Sequence, residues 1–442
     1  MIQQILRRCS LAVCLSLSSL LLATNAHSDP TSASTWLQAE QKIALFKMFN
    51  NISPAGSAPG TVVASPSRTA PNYYFHWIRD AALVMDTVVT LYQTATNDDS
   101  RNRYRQALDQ YTAFSRGNQT TLTRAGMGEP KFNMDGSAFN GEWGRPQNDG
   151  PALRALTLIR YSNLLLAQGE ESTVRSLFYD GSIPTHSIIK SDLEFVSHHW
   201  QEASYDLWEE VKGDHFFTRM VQRKALLQGA LLADRLNDSG AAQWYRAQAT
   251  LIEQSLQAFW DPSQQIVRAT LNPIEGPMYK TSGLDIAVIL ALLHGYNDDN
   301  FFSFSDPRII STMEKLENSF HVLYPINHVV GFPGVAIGRY PEDRYAGTDF
   351  NGGNPWVLTT LAMAEAYYKL DHETRIKGQI LQANLYREKA EQFILRVMLH
   401  ADPNGSLSEQ IDRNTGHMTS AIDLSWNYAA ILTTQTASQL SF

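Results

Sequence analysis

Apolar positions recur along most of this chain at the helical spacing i, i+3, i+4, i+7. Ala81, Val84, Met85, Val88, Leu91 and Tyr92 form one such stripe, and Tyr386, Ala390, Phe393, Ile394 and Val397 form another. The pattern predicts twelve helical segments, at 33–50, 78–95, 99–116, 149–168, 186–202, 216–237, 240–259, 282–295, 306–320, 355–371, 374–399 and 421–437. Strand-like alternation is sparse and local, as between Gly60 and Ser65. Twelve helices make six hairpins, and their stripes can be buried as two concentric rings. The expected fold is therefore all-α, an (α/α)6 barrel in a single domain. An irregular α-solenoid is the competing arrangement, but no repeat of about 34 or 40 residues is visible.

The loops are uneven. Long Gly-, Pro- and Asn-rich segments lie at 51–76, 117–148, 260–281, 324–354 and 400–420. Compact domains seldom carry long structureless loops without a functional reason. Several of these loops mix Trp, Tyr, Arg, Asp and Glu densely. A barrel with short loops at one end and long polar–aromatic loops at the other would carry its site at the long-loop end.

Composition narrows the partners. The 442 residues carry a formal net charge of −8, with no run of Lys or Arg. Such a chain repels a phosphate backbone, so nucleic acid is not an expected partner. Arg7 and Arg8 precede an apolar stretch from Leu11 to Leu22, too short to span a bilayer. With Thr24-Asn25-Ala26 they read as a signal peptide over 1–26, leaving 27–442 as the folded domain. An uncleaved membrane anchor is the alternative. Both cysteines, Cys9 and Cys14, fall inside that leader, which removes disulfides and cysteine zinc sites from the mature chain. The expectation is a secreted or periplasmic monomer with no stable membrane span, no cofactor and no bound metal.

Four segments carry candidate chemistry. Tyr205-Asp206-Leu207-Trp208-Glu209-Glu210-Val211 places three acids in five positions beside Trp and Leu. Hydrolysing a glycoside needs one protonated carboxylic acid for the leaving oxygen, and apolar neighbours or an adjacent glutamate would keep one protonated. A solvated helix start with dipole-favoured acids is the plain alternative. Asn404 to Gln410 offers a single loop glutamate, Glu409, as a base for water. Tyr73 to Asp80 and Gly338 to Asp343 supply arginine forks, carboxylates and flat rings suited to sugar hydroxyls, or to surface ion pairs. His198-His199 lacks the spacing of a helical zinc pair. Asn97 to Ser100 and Asn297 to Asn300 read as acidic turns between helices rather than metal-bound pyrophosphate sites. No P-loop and no GxSxG elbow is present.

Taken together and in order, these residues resemble the glucoamylases of glycoside hydrolase family fifteen, in particular the fungal-type catalytic domain. The likeness runs through Thr61 to Ser67, Trp77-Ile78-Arg79-Asp80, Gly128 to Asn133, Trp143 to Gln147 and Asp149 to Arg154. It continues through Tyr205 to Val211, Gly338 to Asp343, Asn354-Pro355-Trp356, Gly405 to Gln410 and Asp423 to Trp426. The resemblance implies a funnel-shaped pocket and exo-acting, inverting release of β-D-glucose from the non-reducing ends of α-1,4-glucans. Starch, dextrins and maltooligosaccharides would be substrates. It implies Glu209 as general acid and Glu409 as general base, with carboxyl groups about 6.5–9.5 Å apart to admit a water. It further implies that Arg79, Asp80 and Arg339 hold the terminal glucose and that Glu210 contacts the next sugar. Tyr73 would lie near the base, and Trp77, Trp143, Leu207, Trp208, Tyr345, Trp356 and Trp426 would complete the substrate site. Phe75 and Phe139 stand where the fungal pattern carries tyrosines, which bears on outer contacts. Another exo-glucosidase, acting on α-1,6 links or trehalose, and a non-catalytic glucan-binding protein are the competing readings.

Overall fold

The computed structural model describes residues 30–440; the leader expected over 1–26 lies outside them. Among the described residues twelve helices of nine or more residues follow one another. They are α1 (Pro30–Asn50), α2 (Ile78–Thr94), α3 (Asp98–Thr120), α4 (Asp149–Ala167), α5 (Ile188–His199), α6 (Phe216–Arg235), α7 (Ser239–Leu256), α8 (Ala287–Gly295), α9 (Pro307–Leu323), α10 (Val357–Ile376), α11 (Ile380–His400) and α12 (Ser425–Ser438). Even-numbered helices pack each on the next, α2 on α4, α6, α8, α10 and α12, and α12 closes back on α2. Odd-numbered helices lie outside them, with α1, α3, α5, α7 and α11 each packed on an inner helix. This is an (α/α)6 barrel.

The residue pattern is compatible with these places. Inner helices are covered on both faces and are buried on most of their circumference; in α8, Ala287 to Leu292 are all buried, and in α6 even Gln222 and Arg223 are. Outer helices keep a polar face. In α3 the buried residues Tyr104, Ala107, Leu108, Tyr111 and Thr112 follow one stripe, while Asp98, Asp99 and Arg101 meet solvent. Outer helices also carry side-chain caps: Asn97 accepts from Ser100 N, and Asp306 accepts from Arg308 N ahead of Pro307. Between the rings, Arg154 of α4 pairs with Asp192 of α5, both buried.

The predicted segments agree with the helices except at their ends, and those ends matter. The segment expected to start at 282 becomes helical only at Ala287, because Asp285 turns its carboxylate back to accept from Ala287 N at 2.7 Å. The one expected from 421 starts at Ser425. Between Gly60 and Ser65 there is no strand, only an isolated bridge from Val62 to Ile52. What the alternation did not reveal is a three-stranded antiparallel sheet of Ser204–Tyr205, Lys212–His215 and Thr270–Glu275. The loops leading into inner helices, such as 51–77, 121–148 and 324–356, are long, whereas α6 and α7, like α10 and α11, are joined by three residues. Every inner helix therefore begins at the long-loop end.

Candidate active site

At that end lies a cavity of about 510 Å³, counting its open mouth. Tyr73, Trp77, Arg79, Asp80, Leu207, Trp208, Glu209, Arg339, Trp356, Glu409 and Trp426 all line it. Trp143, Glu210 and Tyr345 join through hydrogen bonds to lining residues, so the segments singled out in the sequence converge. Leu358 and Trp426 also line a second cavity deeper along the barrel axis, and so form the floor of the first.

The segment Tyr205–Val211 is not a helix start. It is a tight turn between two strands of the small sheet, closed by Asp206 N to Val211 O at 2.8 Å. The Asp206 carboxylate accepts from Glu210 N at 2.8 Å and Val211 N at 3.1 Å, and pairs with the buried Lys280. The turn holds Glu209 at φ +67, a left-handed backbone that a glutamate seldom adopts. A neighbouring loop presses against it: a Cβ on Gly144 would come within 2.8 Å of the Tyr205 ring and 3.0 Å of Glu209 O. Only glycine permits that approach.

The sequence suggests apolar company for Glu209, and the structure corrects this. Its Oε1 accepts from Trp77 Nε1 at 2.7 Å, Gln147 Nε2 at 3.0 Å and Arg79 at 3.4 Å. Its Oε2 accepts from Trp143 Nε1 at 2.8 Å. The two tryptophans contribute hydrogen-bond donors rather than an apolar wall. Nor do the adjacent glutamates face one another. Glu210 turns to Arg339, at 2.8 Å, and to Tyr340, at 2.5 Å. Burial raises its pKa, with the charge of Arg339 opposing.

Glu409 sits in the loop that leads from α11 into α12 and is pinned by Glu409 N to Ala421 O at 2.8 Å. Its Oε2 accepts from Ser420 Oγ and from Gln410 Nε2, at 2.5 and 3.0 Å, while its buried Oε1 has no donor in the protein. Burial pushes its carboxyl up from 4.5 to about 7, with Ser420, Tyr73 and Arg339 opposing. The Tyr73 hydroxyl shares a 2.8 Å hydrogen bond with that of Tyr345. Asp80, in the first turn of α2, is also raised by burial, to about 6, although Arg79 stands 3.6 Å away.

Two arginines are fixed before any ligand arrives. Arg339 forks onto Asp343 at 2.8 and 2.6 Å, and Arg79 reaches Gln147 at 2.9 Å and Asp149 at 3.0 Å. Trp208 Nε1 donates to Asp285 at 2.9 Å, and Asp285 pairs with Lys280.

Several of these partners carry no mark in the sequence. Lys280, Asp285 and Ser420 lie in segments with no motif of their own. Lys131 falls inside the Gly128–Asn133 string, where it has no evident task. The two-residue ladder of His76–Trp77 with Lys131–Phe132 sets it beside Trp77. Its ammonium sits over the rings of Trp143 at 3.1 Å, Phe139 at 4.1 Å, Trp77 at 4.4 Å and Phe75 at 4.5 Å. Burial there pulls it down to about 8. The two phenylalanines noted in place of tyrosines thus wall a lysine rather than face solvent with a hydroxyl. Among the described residues no group of three or more His, Cys, Asp or Glu side chains is arranged to hold a metal ion.

Known proteins carry the same framework. Residues 42–436 match the family described as glycosyl hydrolases family 15. A glucoamylase of Blastobotrys adeninivorans is 39% identical, over 90% of this chain and 70% of that protein. Glucoamylase 1 of Rhizopus oryzae is 36% identical, over 91% of this chain and 70% of its own. The solved family 15 glucoamylase from Hypocrea jecorina superposes with a TM-score of 0.83 at 31% identity, covering 92% of this chain and 72% of that one.

Proposed function

Since the chain belongs to glycosyl hydrolases family 15, we propose that it is a glucoamylase, removing glucose from the non-reducing ends of α-1,4-glucans with inversion at the anomeric carbon. The observation that carries this reading is the pair of carboxyl groups on one floored cavity. Glu209 is held by N–H donors from several loops, and Glu409 keeps one buried oxygen free of any protein donor.

In the proposed reaction the terminal glucose sits between Arg79, Asp80 and Arg339. A floored pocket accepts a chain end and not a chain interior, which makes cleavage exo-acting. Water bound to the free oxygen of Glu409 attacks C1 from the face opposite the leaving group. Glu409 takes its proton as the new C–O bond forms. Glu209 gives a proton to the glycosidic oxygen as the old C–O bond breaks. The products are β-D-glucose and a glucan one unit shorter with a free 4-hydroxyl. Glu209 and Glu409 then exchange protons with solvent. Because C1 is attacked directly by water, no covalent sugar–enzyme intermediate forms. Starch-type glucans, dextrins and maltooligosaccharides are the substrates, and the leader expected at 1–26 would carry the protein out of the cytoplasm.

Maltotetraose followed by NMR tests this, with Glu209→Gln and Glu409→Gln alongside. Stepwise appearance of β-glucose from the wild type, with both variants reduced at least 10³-fold, is expected. Internal fragments or α-glucose would overturn the mechanism. Hydrolysis only of α-1,6 links or trehalose would replace the substrate, and binding without hydrolysis would replace the enzyme.

A further inference from the structure

We propose that Phe350 is an outer platform for the substrate, a flat apolar surface on which a glucose unit beyond those inside the cavity rests. This depends on the glucan-hydrolase reading above. Phe350 is 68% exposed. A single exposed ring is ordinary on a protein surface, but this one is the last of a series. Its centroid lies 5.9 Å from that of Tyr345, and Tyr345 lies 6.2 Å from Trp356, which lines the cavity. Three rings thus run in contact from the cavity wall out to solvent.

The segment that carries Phe350 is tied down on both sides. Ala346 N donates to Asp349 O at 2.9 Å, Gly352 N to Arg344 O at 3.1 Å, and Gly353 N to Asp343 O at 2.7 Å. Asp343 also accepts from Tyr345 N at 2.9 Å while it grips Arg339. The platform and the arginine assigned to the terminal glucose therefore share one anchor. A pyranose ring presents C–H groups on its faces and hydroxyls around its edge. A flat, exposed aromatic can cover such a face while the hydroxyls stay in water.

A short substrate does not reach this ring, so chain length separates the platform from the catalytic pocket. Phe350→Ala, Phe350→Trp and the wild type are to be compared on maltose and maltoheptaose. Expected for Phe350→Ala is a KM for maltoheptaose raised about three- to tenfold, the size of one aromatic contact, with kcat on both sugars and KM for maltose unchanged. Phe350→Trp restores the maltoheptaose KM. An unchanged maltoheptaose KM overturns the platform, and so does an equal change on maltose, which would mean that Phe350 acts through Tyr345. If the wild type hydrolyses neither sugar, the glucan reading itself has failed and the platform falls with it.

Discussion

Replacing Glu409 with glutamine should remove a loss of stability that the wild type suffers as pH rises, because the site keeps a carboxyl group where folding disfavours its charge. Burial raises Glu409 from 4.5 to about 7. Below 4.5 both the folded and the unfolded chain hold the proton. Between 4.5 and 7 the unfolded chain releases it while the folded protein keeps it, so stability falls as pH rises through that window. The loss is complete above 7. At about 1.4 kcal/mol per pH unit this amounts to about 3 kcal/mol. An unfolding entropy of about 2.1 cal/mol/K per residue gives about 0.9 kcal/mol/K for a chain this long, so the change in Tm is about 3–4 °C. Glutamine does not titrate. Its carbonyl can take the bonds from Ser420 and Gln410, and its amide can turn to the place of the unpartnered oxygen. Any fixed gain or loss from the amide cancels when the two proteins are compared at several pH values. Thermal and urea unfolding of both between pH 4.5 and 8 is the assay. The variant should gain about 3 kcal/mol on the wild type across that range. Parallel curves would refute the claim that burial, rather than hydrogen bonding, sets the state of Glu409.

Removing the Ser420 hydroxyl takes away a donor that lowers Glu409. In Ser420→Ala the acid limb of kcat/KM, expected near pH 7 in the wild type, should move up by roughly half to one pH unit. A pH–rate profile on maltotriose checks it, and a limb that stays or moves down would exclude Glu409 as the group behind it. Arg339→Lys cannot reproduce the fork onto Asp343 together with the bond to Glu210. It should lower kcat/KM on the order of 10²-fold. It should also cost about 1–3 kcal/mol in urea unfolding, for carboxylates left short of partners; wild-type kinetics in the variant would remove Arg339 from the site.

The barrel was legible because twelve apolar stripes at helical spacing leave few other ways to be buried. The stripes alone do not say which helix is inner, since only α8 is uniformly apolar while α6 and α10 carry several charged residues; closure of the ring decides that. Glu209 was legible as an acid beside an aromatic and Glu409 as a lone loop glutamate, but their surroundings were not. An indole looks apolar in a sequence, yet Trp77 and Trp143 meet Glu209 through N–H groups whose direction depends on three separate loops. The split between Glu209 and Glu210 is likewise a matter of backbone, set by a left-handed φ that no residue type announces. Lys280 and Asp285 escape notice because a buried ion pair between a loop and a helix start has no spacing rule. Phe350 carries no signal in the sequence, because one phenylalanine in a polar loop is informative only once its neighbours in space are known.

The site draws its chemistry from the end of the barrel on which it sits. Six inner helices begin there, and none has a side-chain cap from the residue at its cap position. Their positive ends face the cavity, where Asp80, Glu209, Glu210 and Glu409 gather. That field and the two arginines hold together a density of carboxyl groups that would otherwise repel one another. Yet the four are not treated alike. Glu209 is offered donors on both oxygens, Glu210 is gripped by Arg339 and Tyr340, and Glu409 is buried with one oxygen left open. A general base needs an open oxygen and a proton affinity near the working pH, and burial supplies both at once. An acid that must deliver its proton to one bridging oxygen needs orientation above all. For Glu209 that orientation comes from the Asp206-tied turn, from φ +67 and from the glycine contact at 144. A left-handed backbone aims the acid at Glu209, and one at Ser420, φ +69, sets the hydroxyl that binds the base, while burial raises Glu409 to about 7. Two residues of the same type can thus take opposite parts across a single glycosidic bond.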